Sequence, residues 1–443
     1  MSIVDERDLR DEAAGLLRDL LRIDTSNPPG RETPAAVLLS EYLEANGVAC
    51  ELVARDPDRA NLIARIPGTG DGPSMALIGH TDVVPANAED WQHPPFSGHL
   101  DGDGFLWGRG AADMKNETAT RAVAMAALAR SGFRPGGDVV FIAEADEEDG
   151  TERVGMTWLV HERPDIGTDY ALNEGAAERL VLADGRTVIT VSVGEKSALA
   201  ARVTALGKAT ATTMPGVADG SVPRLATLIS RIAAHRPDRR VLPETQQLLD
   251  ALVGRAGGGE LDAAIVELES LHPAFAELLT PLFATTIAPT RLQGSTALNV
   301  MPAWASVDCD CRLLPGDAEG DLLAELAEAL GDDLPHEVEI IDGLTGGSIS
   351  PADSPLFDFC RSFFADNDPG AVVVPTILNG YTDSHPMREA FGTVAYGVWP
   401  VRRTPYEVVA AGVHGADERI HVDDLGYAAR FHIEACRAIG AQR

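Results

Sequence analysis

The chain has 443 residues, 45% of them hydrophobic and 23% charged, with a formal net charge of −32 at pH 7. That length supports two or three domains around a sizeable core, and the acidity argues against nucleic acid or an anionic membrane as partner. The opening residues MSIVDERDLRDEAAG lack the apolar centre of a signal peptide, and no apolar run approaches the roughly 20 residues that span a bilayer, so a cytoplasmic protein is expected.

Residues 6–22 read as an amphipathic helix, with Leu9, Ala13, Leu16, Leu17, Leu20 and Leu21 at helical spacing. TSNPPG ends it with turn chemistry. A second helix near 33–46 precedes the strand-like ACELVA and NLIARIPG. SMALIGHTDVV is the next apolar strand; a polar, aromatic loop follows, then an Ala-rich helix over about 116–131 closed by Gly132. GDVVFIAEADEE is another short apolar strand, and Glu174 in YALNEGA ends a further one. Strands alternating with helices predict an α/β sheet that binds ligands at its strand ends.

Near residue 190 the pattern changes. RTVITVSVGEKSALAARVTALG alternates as strand, followed by a helix near 222–235 and a helical, glycine-interrupted insert, GRAGGGELDAAIVELESL. The strands TTIAPTRLQG and NVMPAWASVDCDCRLL, a helix near 318–331 and the strand HEVEIID complete the segment. The βαββαβ order predicts a small α+β domain over 191–345, inserted into a first domain made of 1–190 and 346–443. Cys50, Cys309, Cys311, Cys360 and Cys436 are odd in number and scattered, which does not fit a disulfide framework.

The stretch VVFIAEADEEDG, 139–150, runs from an apolar strand into Glu144, Asp146, Glu147, Glu148 and Asp149. Carboxylates this close raise one another's pKa values unless a cation sits among them. His80 and Asp82 end the MALIGHTD strand two residues apart, on one side of it. Asp113 lies in the Gly-rich GRGAADMK before a helix, and His414 in the loop VHGADER. Taken singly these have ordinary readings: a polar loop pair, a carboxylate at a helix N-terminus. Two imidazoles and several carboxylates gathered at the strand ends of one sheet suit Zn²⁺. Two metals about 3.5–4 Å apart, sharing one carboxylate, can clamp both partners of a hydrolysis.

In this order and at these separations, GHTDVVP, GRGAADMK, ADEEDG, NEG and HGADERI resemble the M20 family of dinuclear zinc peptidases and amidohydrolases, over nearly the whole chain. The resemblance implies a catalytic domain with a mixed central sheet flanked by helices, and an inserted ferredoxin-like lid and dimerisation domain. It implies that Asp113 bridges two Zn²⁺ ions, that His80 and Glu174 complete one site, and that Glu148 and His414 complete the other. Co²⁺ or Mn²⁺ would suit the same ligand types. Glu147 would be the general base, taking a proton from the attacking water and delivering it to the leaving amine. Asp82 would orient the His80 ring through its far nitrogen. Asn299 and Arg312 in ALNVMPAWASVDCDCRLLPG, and Asp383 and Arg388 in GYTDSHPMR, match stretches that reach substrate. Arg312 could grip a carboxylate bidentately or be a surface strand residue.

The chain also departs from the pattern. GKATATTMP, 207–215, lines up with a family pattern GxxxHxSxP and places Ala211 where the histidine belongs. In relatives that histidine reaches across a dimer to the reacting carbonyl oxygen, and losing one such donor typically costs on the order of 10²–10³ in rate. Ser197 in GEKS and Gly220–Ser221 in DGSV depart in the same domain. The expectation is metal-dependent hydrolysis of an amide or peptide bond in N-acyl amino acids or short peptides with a free carboxylate, by a homodimer paired through the inserted domain. A strict carboxypeptidase is the near variant; a metal-loaded binding protein with a defective lid is the alternative.

Overall fold

Two inner strands, Met75–His80 and Val139–Glu144, are buried at every position, the pattern of parallel strands covered on both faces. They pair in parallel from Met75–Val139 through His80–Glu144. In the computed structural model, which describes residues 5–176, 179–213, 220–254 and 261–441, they belong to a mixed nine-stranded sheet. Its path is Ala49–Val53, Asn61–Ile66, Val139–Glu144, Met75–His80, Tyr170–Asn173, Val394–Gly397, Thr187–Glu195 and Val372–Leu378, with Arg179–Val181 beside Thr187–Glu195. Tyr170–Asn173 runs parallel to both Met75–His80 and Val394–Gly397, whereas Ala49–Val53, Asn61–Ile66 and Val139–Glu144 alternate in direction. The C-terminal ends of the central parallel strands therefore bring His80, the 144–148 turn and Glu174 to one edge.

The helix Lys115–Arg130 packs on Met75–His80 and against Glu6–Leu21 and Val422–Gly440. Fourteen of its 16 residues are buried, Lys115, Glu117 and Arg121 among them, so the Ala-rich composition serves close packing on all sides. Gly79 makes one approach possible: a Cβ there would lie 2.5 Å from Thr118 Oγ1.

A separate three-stranded sheet, Arg419–His421, Phe105–Trp107 and His99–Leu100, carries the connections that hold Asp113 and His414. This corrects the expectation of one sheet edge for every candidate ligand. Asp113 lies in the turn between Phe105–Trp107 and the helix, and His414 between the helix Tyr406–Gly412 and Arg419–His421.

The chain divides into two compact units, Met1–Val193 with Ser350–Thr376 and Thr382–Arg443, and Gly194–Ile349 with Ile377–Tyr381. The second contains an antiparallel sheet in the order Thr286–Gln293, Trp304–Leu313, Ser197–Leu206, His336–Gly346. Ser197–Leu206 alternates strictly between buried and half-buried. Its inner face joins Leu225, Leu228 and Ile232 of the helix Ser221–Ala234 and Leu322, Leu326 and Leu330 of the helix Glu319–Leu330 in one core, with Cys309 and Cys311. The single strand run expected around 187–206 breaks at Lys196 into two strands, each in its own sheet. NVMPAWASVDCDCRLL likewise breaks, because Val300–Met301 pairs with Thr210–Ala211 instead. Residues 255–260 of the glycine-interrupted insert, and Met214–Pro215 of GKATATTMP, lie outside the described residues. All five cysteines are free, and no helix among the described residues is long and apolar enough to cross a membrane.

Candidate metal centre

His80 is buried at the end of its strand, where Thr118 Oγ1 donates to its carbonyl at 2.9 Å. Its Nε2 lies 3.3 Å from Asp113 Oδ1, 3.5 Å from Glu174 Oε2 and 4.0 Å from Glu147 Oε2. His414 lies with its Nε2 3.0 Å from Glu148 Oε2 and 3.3 Å from Asp113 Oδ2. Asp113 thus presents one carboxylate oxygen to each imidazole. Donor atoms of His80, Asp113 and Glu148 lie within 4.8 Å of one another, as do those of His80, Glu147 and Glu174.

These groups are held in place at some cost. His414 adopts φ +57°, a region that costs a side-chain-bearing residue of order 1 kcal/mol or more. Asp146, at φ +67°, turns the chain so that the Glu147 and Glu148 amides point back at Asp82. They donate to Asp82 Oδ1 at 3.2 Å and Oδ2 at 3.1 Å. Asn27 Nδ2 donates to Asp82 at 2.9 Å and to Asp146 at 3.1 Å. The His80 Nδ1 is nearer to the Asp82 carbonyl, 3.0 Å, than to its carboxylate, 3.5 Å. Asp82 therefore meets the ring through main chain and side chain together, while its carboxylate organises the turn that carries Glu147 and Glu148.

The electrostatics are those of a site short of positive charge. Burial drives the Glu147 carboxyl well above its ordinary range, and Glu174 adds to the rise. Burial also raises Glu148, against the pull of His414. Burial opposes a charge on Asp113 too, but bonds to His414 and His80 hold it below its usual value. His80 is kept well above the ordinary imidazole range: burial opposes its charge, and Asp113, Asp82 and Glu174 outweigh that. Bonds to Asp113 and Glu148 lift His414 to about 10. Imidazole and carboxylate donors converging on points they can share fit one or two divalent cations.

Sequence reasoning missed the groups beneath the centre. Buried Glu418 accepts from the main-chain N–H of Ala112 at 2.6 Å, Asp113 at 2.9 Å and Gly110 at 3.0 Å. Arg109 closes the set, donating to Glu418 at 2.5 Å and to the Gly415 carbonyl at 2.7 Å. Glu418 stands four residues after His414 in HGADERI, the one signal that could have marked it. Buried Arg59 pairs with Glu32 at 2.6 Å and Asp146 at 3.2 Å; nothing in the sequence joins these three.

The four expected substrate residues are placed differently. Asp383 is buried before the helix Ser384–Phe391, and burial pushes its carboxyl up to about 7. Arg388 donates to Ser350 Oγ at 2.9 Å and to the carbonyls of Ala395 at 2.7 Å and Val193 at 3.3 Å, so its guanidinium ties the first unit together. In the second unit Asn299 is exposed, and Arg312 makes a two-pronged pair with Asp310 at 2.8 and 3.0 Å. Ala211 is exposed in the short strand opposite Val300.

Residues 76–438 match the family described as peptidase family M20/M25/M40. The chain is 34% identical over 432 residues to a succinyl-diaminopimelate desuccinylase of Methylobacterium radiotolerans, covering 94% of this chain and 93% of that protein. It is 28% identical over 421 residues to mouse aminoacylase-1, covering 92% and 90%. Among solved structures it resembles an M20 family metallo-carboxypeptidase from Sulfolobus solfataricus with a TM-score of 0.72 at 19% identity, covering 97% of this chain and 99% of that one.

Proposed function

The chain belongs to peptidase family M20/M25/M40 and is a metallopeptidase or amidohydrolase; from that premise we propose that it cleaves N-acyl amino acids or short peptides bearing a free carboxylate, at a dinuclear Zn²⁺ centre. One observation carries the dinuclear reading: the two oxygens of Asp113 face two different imidazoles. His80 and Glu174 complete one position, and His414 and Glu148 the other. When bound, a cation pair supplies Lewis acidity, lowering the pKa of water and polarising the scissile carbonyl.

Glu147 acts as the general base. Its main-chain bond to Asp82 fixes the root of the side chain beside His80, and its carboxylate, kept ionised by a bound cation pair, is able to accept a proton. It accepts a proton from the attacking water and returns it to the leaving amine. Asp82 keeps His80 and the 147–148 turn in one register. The first unit houses this chemistry in the proposed division of labour. The second, with its ferredoxin-like strand order, supplies Asn299 and Arg312 for the substrate carboxylate and pairs the subunits. Arg312 must exchange Asp310 for that carboxylate.

Turnover of a panel of N-acyl amino acids and dipeptides, with metal content measured on the same samples, tests this. Hydrolysis that rises with occupancy up to two cations per chain supports it. Full occupancy without turnover favours the alternative, a metal-loaded binding protein, which Ala211 alone recommends.

A further inference from the structure

The strand ladder between Met75–His80 and Tyr170–Asn173 pairs Met75 with Tyr170, Ala76 with Ala171 and Leu77 with Leu172. His80 and Glu174 lie beyond its end. The His80 strand stays paired on its other side through Glu144, so the open gap is the one between the two candidate ligands. Fully buried Arg121 fills it from the helix below. One guanidinium nitrogen donates to the carbonyl of Ile78; another donates to the carbonyl of Asn173 at 2.9 Å and to the carboxylate of Glu117. Ile78 is two residues before His80, and Asn173 immediately precedes Glu174. A planar guanidinium with several fixed donors can hold two carbonyls at a set separation, as a flexible ammonium does not.

Asp113 and His414 rest on different supports. Glu418 gathers the amides around Asp113, and its partner Arg109 holds the Gly415 carbonyl beside His414. We infer that Arg121 is a positioning residue for the His80–Glu174 cation position alone, whereas the Arg109–Glu418 pair supports the shared Asp113 and the loop of His414, so that the first position can be weakened without the second. This rests on the dinuclear reading above.

The test titrates Co²⁺ calorimetrically into the chelator-stripped full chain in two backgrounds. His414→Ala leaves the His80–Glu174 position, and Glu174→Gln leaves the other. Arg121→Lys should weaken Co²⁺ binding about 10–100-fold, the usual effect of losing a group behind a ligand, in the His414→Ala background. In the Glu174→Gln background it should change less than about threefold on the same scale. Equal losses in both backgrounds, or none in either, overturn the assignment. Should Arg121→Lys fail to fold, Glu117→Gln loosens the same guanidinium and must show the smaller loss in the His414→Ala background only; a loss shared by both overturns the inference. Wild-type protein that binds fewer than two Co²⁺ defeats the dinuclear reading itself, before any variant is compared.

Discussion

Replacing Glu147 by Gln separates two roles that lie close together in space. The amide keeps the size of the side chain and removes its proton-accepting charge. The turn should survive, because its bonds to Asp82 come from the main-chain N–H groups of Glu147 and Glu148. Metal binding should survive as well: His80, Asp113 and Glu174 on one side, and His414, Asp113 and Glu148 on the other, meet at 3.0–3.5 Å without Glu147, whose nearest oxygen is 4.0 Å from His80. A positioned general base contributes about 10²–10⁴ in rate. Because one carboxylate both accepts and returns the proton, kcat should fall toward the upper end, about 10³–10⁴, or roughly 4–5.5 kcal/mol in the barrier. Steady-state kinetics and elemental analysis on the same sample make the assay. KM should move less than about threefold, as expected when the lost interaction acts only in the transition state, and two cations should remain bound. A loss of one cation would refute this account, because Glu147 would then be a ligand, as its grouping with His80 and Glu174 also allows. A fall in kcat below tenfold would equally remove it as the base.

Ala211→His should restore an oxyanion donor and raise kcat by up to about 10²–10³; initial rates over a substrate series decide, and an unchanged kcat means the position takes no part. Chelation should abolish turnover and lower the melting temperature, since ligand at a hundredfold excess over its Kd stabilises by about 2.7 kcal/mol. Scanning with and without added Zn²⁺ reads the shift, and identical transitions would mean that the acidic cluster holds no cation. Burial lowers the Lys196 ammonium to about 7, from an ordinary 10.5. Between those values the unfolded chain binds the extra proton, so this residue's contribution to stability rises with pH across the window and is lost as pH falls through about 7. Urea midpoints of wild type and Lys196→Met, compared at both ends of the window, should differ by an amount that changes with pH; a constant difference contradicts the assignment.

What the sequence showed, it showed through local pattern. HTD after an apolar strand, EE after another and NEG after a third are legible because a strand end is a place where hydrophobicity stops and polar chemistry begins. The supports are not legible in that way. Nothing local marks Arg121 on its Ala-rich helix, and its burial appears only when the sheet lies on one side of that helix and Val422–Gly440 on another. Glu418 and Arg109 are 309 residues apart, a separation at which no periodicity speaks. The break at Lys196 was hidden because both halves alternate as strands, and only the tertiary environment decides that one belongs to the large sheet and the other to the second unit. The pairing of Arg312 with Asp310, two residues away on the same strand face, is a side-chain contact that strand alternation does not announce.

The chain passes between its two units at four junctions, after Val193, Ile349, Thr376 and Tyr381. The last two bracket a five-residue segment whose Leu378 carbonyl accepts from the Lys196 N–H at 2.9 Å and whose Asn379 donates to the Leu278 carbonyl at 3.3 Å. A protease nick at any single junction therefore yields two fragments, yet the uncut crossings still link the two units covalently. Grafting residues 194–349 from a relative would strand 377–381 against foreign neighbours, so a chimera with exchanged specificity has to carry both pieces together.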